Sequence, residues 1–169
     1  MIEKPISLVV DDVIALRAGA LRQLRRPGLQ VQLIVPGDKL WVREPFYLGR
    51  DWDAFAPTAA LGRGAQRADY AADLPGVVNP RHGRRRFARE MPRALSRMHL
   101  AVLAVRCTRL TDLTHADAVL EGARDCDDFA RRWDDRQAGG RTISGDAARW
   151  QDNPRVTVVT FDLIAEALA

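Results

Sequence analysis

The chain has 169 residues, of which 47% are hydrophobic and 28% charged, a balance typical of one soluble globular domain. No apolar run approaches the ~20 residues that cross a bilayer. The two cysteines, Cys107 and Cys126, are too few for a disulfide scaffold. Residues 1–5 lack the basic and apolar segments of a secretory signal. These features exclude a membrane protein and a secreted disulfide-rich protein, and they predict a single cytoplasmic domain over residues 1–169.

Positive charge is concentrated in the first two thirds of the chain. Residues 1–109 hold 19 basic and 10 acidic residues, a net charge of +9, whereas residues 110–169 hold 7 and 12, a net charge of −5. A GC-rich genome explains why 24 of the 26 basic residues are arginine, but not where they lie. The asymmetry predicts a surface that faces a polyanion. One cluster consists of Arg17, Arg22, Arg25 and Arg26, and a second of Arg81, Arg84, Arg85, Arg86, Arg89, Arg93 and Arg97.

The first half of the chain contains two clear local signals. Asp11-Asp12 caps a short helix that Gly19 ends, and residues 20–26 fit either another helical turn or a strand. A Pro-Gly-Asp turn precedes a strand over residues 39–44, where alternation places Trp41 and Arg43 on one face. Residues 49–92 show weak periodicity and are predicted to form one long loop excursion, with a short strand near residues 69–70.

The second half of the chain has stronger patterns. Residues 97–106 predict a central strand, and Thr114 with Asp117 forms a capping box that opens a helix. Residues 127–137 predict a helix that buries Phe129 and Trp133, four positions apart. A breaker at residues 153–154 precedes a last strand over residues 156–161. The order of elements predicts an α+β domain around a small, strongly bent sheet or barrel.

The usual catalytic and metal-binding signatures are missing. The sequence has neither a glycine-rich phosphate loop nor a Gly-x-Ser-x-Gly motif. Its histidines and cysteines show no paired spacing for a metal. We therefore predict no cofactor and no metal site.

Several motifs in order resemble those of ASCH domains, particularly those of prophage-associated proteins. Residues 36–44 read Pro-Gly-Asp-Lys-Leu-Trp-Val-Arg-Glu, and residues 91–97 read Met-Pro-Arg-Ala-Leu-Ser-Arg. The acidic helix at residues 112–122, the Trp-Asp pair at 133–134 and residues 150–154 continue the resemblance. It implies an α+β, PUA-like fold: a small mixed β-barrel with short flanking helices and one long loop. It also implies binding to RNA or another single-stranded nucleic acid.

The chain departs from the family where related amidohydrolases carry a lysine and a threonine. Those positions are Leu21 and Leu24 here, and leucine supplies neither a base nor a hydroxyl nucleophile. Glu121, with Glu44 as an alternative, remains as the candidate acid, so the resemblance implies a catalytic role for Glu121 only if the chain is an enzyme.

The sequence thus predicts a non-catalytic nucleic-acid-binding module, most simply one that binds RNA. A ribonuclease or an amidohydrolase acting on modified nucleosides is the main alternative, and a prophage-derived protein-interaction module is another. The guanidinium group of arginine can donate paired hydrogen bonds to a phosphate, and an indole ring can stack on a base. Some of these residues have competing interpretations. These are a role in the core for Trp41, a structural ion pair for Glu44 and a solvated loop for the arginine triplet at 84–86. The predicted interface consists of Arg22, Arg25, Arg26, Lys39, Trp41, Arg43, Glu44, Arg84, Arg85, Arg86, Arg93 and Arg97.

Overall fold

Helices and strands are interspersed along the chain in the computed structural model, which describes residues 3–27, 34–74, 76, 79–137 and 147–166. The helices are α1 (Val10–Arg17), α2 (Pro57–Gly62), α3 (His115–Leu120) and α4 (Cys126–Arg136). The strands are β1 (Glu3–Ser7), β2 (Gln23–Pro27), β3 (Lys39–Arg43), β4 (Phe46–Gly49), β5 (Asp69–Tyr70), β6 (His82–Arg86), β7 (Met98–Arg109) and β8 (Arg155–Glu166).

The described strands form two sheets. One has the order β1-β3-β7-β8-β2, and the other has the order β5-β4-β6. Strand β2 is antiparallel to β8, with Gln23 opposite Thr160 and Arg25 opposite Val158. Strand β4 is antiparallel to both of its neighbours. The predicted α+β class is confirmed, and no closed barrel is detected among the described residues.

Residue contacts divide the chain into two compact units. The first unit includes Ala15–Lys39 and Ala101–Asp162, and the second includes Glu3–Ile14 and Leu40–Leu100. Each unit has a buried apolar cluster of its own. We therefore describe the two units separately.

In the first unit, side-chain caps set where the helices begin. The Asp117 amide donates to Thr114 Oγ1 at 3.1 Å, and the Thr114 amide donates to Asp117 Oδ2 at 3.2 Å, so the predicted capping box is present. Helix α4 begins after Asp125, whose carboxylate accepts the Asp128 amide at 2.7 Å. The core of this unit consists of Leu110, Leu113, Ala118, Ala123, Phe129, Trp133, Val156 and Val158.

In the second unit, the segment predicted as a long loop excursion is largely ordered, which corrects that prediction. It contributes α2, β5 and β6, and the predicted short strand at residues 69–70 is confirmed as β5. The buried Arg86 side chain donates to the carbonyls of Trp52 at 2.7 Å and Phe55 at 3.0 Å, so a side chain satisfies peptide groups outside the strand ladder. The core of this unit consists of Phe46, Leu48, Ala60, Ala65, Met91 and Leu95.

Three further local predictions concern the end of helix α1, residues 20–26 and strand β3. Helix α1 is followed by Gly19 with a φ of +73°, a conformation that favours glycine. The ambiguous residues 20–26 mostly form strand β2 rather than a further helical turn. In β3, Leu40 and Val42 are buried while Trp41 and Arg43 lie on the more exposed face, as predicted. No helix in the described part of the chain is long and apolar enough to span a membrane.

Candidate nucleic-acid interface

The first arginine cluster separates into exposed and buried members. Arg22 is exposed and pairs with Asp162 at 2.8 Å, and Arg26 is half-buried. Arg25 is only 1% exposed, so the prediction that it lies on a surface rim is wrong. Gln23, Leu24 and Arg25 are all buried, so both faces of β2 are covered at the start of the strand.

Arg25 belongs to a buried ionic network. Its Nη1 forms an ion pair with Glu121 Oε1, its Nη2 lies 3.0 Å from Asp117 Oδ2, and its amide donates to Glu121 Oε2 at 3.2 Å. Gln23 donates to both carboxylates, at 3.0 and 3.1 Å. Arg106 adds a bond to Asp117 at 2.6 Å. The buried charges are therefore balanced within the network, as a buried ion pair requires.

The two carboxyl groups of this network respond differently to burial. Burial raises the pKa of Glu121, and the Arg25 guanidinium offsets this only in part. Burial also acts to raise the pKa of Asp117, but hydrogen bonds from Gln23, Thr114 and Arg106 outweigh it, so that pKa lies below its ordinary value. Both groups are occupied by hydrogen bonds, which fits a structural role.

Leu21 and Leu24, at the positions where a catalytic set would need a lysine and a threonine, are apolar and buried. Leu21 forms an isolated antiparallel bridge with Glu121, and Leu21 and Leu24 are each 2% exposed. The adjoining cavity, lined in part by Leu24, Arg25 and Phe129, has a volume of about 30 Å³. Since a water needs roughly 10–15 Å³ of such space, this cavity has room for little more than water.

On strand β3 the predicted aromatic residue already has a cationic neighbour. The Arg43 guanidinium lies 5.7 Å from the centroid of the Trp41 ring, and both side chains are partly buried. Burial lowers the pKa of the Arg43 guanidinium. Lys39, the first residue of the strand, is also partly buried. The role predicted for these residues in binding stays a prediction.

Glu44 and Arg97 form a second buried ionic cluster, which corrects their predicted place in an interface. Arg97 Nε and Nη2 donate to the two Glu44 oxygens at 2.8 and 3.0 Å, and Nη1 donates to Asp73 at 2.5 Å. The Arg97 guanidinium also lies 4.0 Å from the centroid of the Tyr70 ring. Glu44 and Arg97 are 1% and 6% exposed, so the competing interpretation of Glu44 as a structural ion pair is confirmed.

Strand β6 divides the arginine triplet between surface and interior. Arg84 and Arg85 are exposed, whereas Arg86 is fully buried, so its predicted contact with a nucleic acid is wrong. Arg84 pairs with Glu90 at 2.9 Å. Arg89, in the turn after β6, is exposed, and Arg93 is exposed and pairs with Glu3. We call Arg84, Arg85 and Arg89 the β6 arginine surface.

A groove beside this surface contains a residue that the sequence analysis did not single out. Phe87 is 62% exposed, and the Arg89 guanidinium lies 5.2 Å from its ring centroid. The groove has a volume of about 310 Å³, at the lower end of the ~300–1,000 Å³ of small-ligand sites. Residues 82–90, with an aromatic between arginines, carry the signal that could have found it. We name it the Phe87 groove; it is lined by Ser7, Leu8, Val9, Pro45, Arg85, Phe87, Ala88 and Arg89.

Comparison of the chain with protein-family models, with curated proteins and with solved structures gives no match. No group of three or more metal-ligating side chains occurs among the described residues. The β6 arginine surface offers guanidinium donors to an anion, and the groove beside it offers an aromatic ring.

Proposed function

We propose that the chain binds nucleic acid, most simply RNA, through the β6 arginine surface, and that it does so without catalysis. The observation that carries this proposal is the exposure of Arg84, Arg85 and Arg89 along one strand and the turn that follows it. Guanidinium groups bind phosphate oxygens with paired hydrogen bonds. A polynucleotide supplies phosphates at regular spacing, so it suits a row of exposed arginines.

Among the described residues, two arginines of this surface lack a carboxylate partner of the kind that Arg84 has in Glu90, at 2.9 Å. Within the described part of the chain, Arg85 and Arg89 have no carboxylate partner, whereas Arg22 and Arg93 each pair with one. A phosphate that binds Arg85 or Arg89 therefore does not have to displace an internal ion pair. This favours the second cluster over the first as the site of binding.

The motif resemblance supports the same function and extends it. The segments at residues 36–44 and 91–97 resemble those of ASCH domains, and the proposal includes an ASCH-type module with a PUA-like fold. The leucines at positions 21 and 24 and the hydrogen-bonded Glu121 favour binding over hydrolysis. We expect dissociation constants of about 10⁻⁴–10⁻⁶ M at moderate salt, the range of binding dominated by phosphate contacts.

The test compares two variants of equal net charge. R85A/R89A removes two arginines of the β6 arginine surface, and R149A/R155A removes two exposed arginines of the first unit. Fluorescence anisotropy with a labelled RNA should show binding weakened at least about tenfold by R85A/R89A, since each phosphate contact contributes to affinity. R149A/R155A should bind as the wild type does. Equal binding by all three proteins, or no binding by the wild type, would overturn the proposal.

A further inference from the structure

We infer that the Phe87 groove holds one unpaired base, so that the chain selects single-stranded over double-stranded nucleic acid. This inference rests on the proposed function and concerns the form of nucleic acid that is bound. It depends on an exposed aromatic ring with a fixed backbone and on exposed guanidinium groups at the edge of the same groove.

The backbone is held on both sides of Phe87. On one side, the buried Arg86 side chain donates to the carbonyls of Trp52 and Phe55, at 2.7 and 3.0 Å. On the other side, Glu90 Oε2 accepts the Phe87 amide at 2.8 Å while Glu90 Oε1 pairs with Arg84 at 2.9 Å. These contacts fix the backbone that carries an exposed ring, and a preorganised ring loses less freedom when a ligand binds.

The groove has an apolar floor and positively charged edges. Leu8 and Pro45 are buried beneath it, and Phe87 remains 62% exposed even with Arg89 over its ring. Arg85 and Arg89 are the charged residues of its lining. A nucleotide has the complementary arrangement, since its flat base is apolar on both faces and its phosphate is anionic.

Only an unpaired base can reach the ring in this way. In a duplex the faces of the bases are covered by their neighbours, so phosphates would contact the arginines while Phe87 stayed exposed. In a single strand a base can turn out and stack on the aromatic ring. Stacking of this kind tolerates any base because each has a π face, so we expect selection for single strands without selection for sequence.

The experiment measures binding of wild type, F87L and F87W to two RNAs. One is an oligouridylate of about ten nucleotides, within the ~4–16 nucleotides that single-strand sites cover. The other is a hairpin duplex with the same number of phosphates. F87L keeps an apolar side chain without the ring, and F87W keeps a ring. R85A/R89A removes both guanidinium groups that line the groove, including the Arg89 group over the Phe87 ring, and serves as the variant expected to weaken binding of both RNAs.

We expect F87L to weaken oligouridylate binding by about five- to 150-fold, the range measured for loss of one stacked base. Binding of F87L to the hairpin should be unchanged, F87W should bind oligouridylate as tightly as the wild type, and R85A/R89A should weaken both RNAs. If F87L binds both RNAs like the wild type while R85A/R89A weakens both, the inference is overturned and the proposed function stands. If the wild type binds neither RNA, both are overturned.

Discussion

Arg25, Arg86 and Arg97 are 1%, 0% and 6% exposed, while Arg84 and Arg85 lie open to solvent. A guanidinium group presents five donors in a fixed plane, so it serves a buried carboxylate or carbonyl as well as a surface phosphate. The residue type alone therefore cannot assign the role. The partners that decide it are distant in sequence: Glu121 lies 96 positions from Arg25 and Glu44 lies 53 from Arg97. Because these partners could not be identified from the sequence, the buried and the exposed arginines were predicted alike as phosphate contacts.

The Glu44–Arg97 pair should be needed for stability. E44Q removes the charge that Arg97 Nε and Nη2 contact, and it leaves a guanidinium that is 7% exposed with Asp73 as its ion-pair partner among the described residues. Breaking a buried ion pair on one side costs about 3–5 kcal/mol of unfolding free energy. The exposed Arg93–Glu3 pair is the matched control, and R93A should cost about 0–1 kcal/mol. Urea denaturation measures both, and an E44Q protein as stable as R93A would contradict this account.

The charge of Glu90 should oppose nucleic-acid binding. The hydrogen bond from Arg84 is the main cause that lowers the pKa of Glu90, which is therefore ionised at neutral pH. E90Q keeps an oxygen to accept the Phe87 amide but removes a negative charge beside the β6 arginine surface. We expect the hairpin RNA, whose binding depends on the arginines and not on the Phe87 ring, to bind about two- to fivefold more tightly, the size of a surface charge interaction. D51N, which neutralises another exposed carboxylate of the second unit, should bind like the wild type.

The pH dependence of this turn follows from the same carboxyl group. Because the folded pKa of Glu90 is lowered, its contribution to stability is complete above the ordinary glutamate pKa. The contribution is lost as pH falls through the lowered value, when the protonated group releases Arg84. The protection of the Phe87 amide against hydrogen exchange, taken relative to the intrinsic rate at each pH, should therefore fall in acid more in the wild type than in E90Q. An equal loss of protection in both proteins would show that Glu90 does not hold the turn.

At the scale of elements, local signals predicted α1, α3 and α4, whereas α2, β5 and β6 lie in the segment that was predicted as a long loop. The capping box at Thr114 and the apolar spacing of α4 lie within one segment each, so both helices could be predicted. Strands β4, β5 and β6 have only two to five residues each, and β6 consists of histidine, glycine and arginines. Strand propensity is weak in β6, whereas the aromatic residues of β4 favour a strand, so pairing with distant residues determines where the β6 segment lies.

Gly83 in β6 should be required by the neighbouring Asp53 side chain. A Cβ at this position would overlap the Asp53 carboxylate, which accepts the Arg84 amide at 2.8 Å. In G83A the carboxylate must move and lose that bond, at a cost of about 0.5–1.5 kcal/mol. In a D53A background the same substitution should cost much less. A double-mutant cycle of unfolding free energies measures this coupling, and additive effects would refute it.

For the whole molecule, the sequence predicted where positive charge accumulates but not which part of it forms a groove. The excess over residues 1–109 contains both the buried arginines and the β6 arginine surface. Charge counts include every guanidinium, whereas only exposed groups reach a polyanion. Phe87 escaped prediction because its exposure results from the turn that Arg86 and Glu90 fix, which no periodic pattern reveals.

Local contacts, rather than net charge, should therefore set the salt dependence of binding. If Arg84, Arg85 and Arg89 each meet one phosphate of a single strand, log K should fall with log salt concentration with a slope of about −2. R85A/R89A and R149A/R155A both lower the formal net charge of +4 by two units. The first variant should reduce the slope to about −0.7, and the second should leave it at about −2. D127N/D135N, which raises the net charge by two units on exposed positions of α4, should also leave the slope unchanged. Anisotropy titrations over a range of salt concentrations measure the slopes for the wild type and the three variants. Slopes that change in step with net charge would show that binding is a diffuse electrostatic attraction and does not depend on the β6 arginine surface.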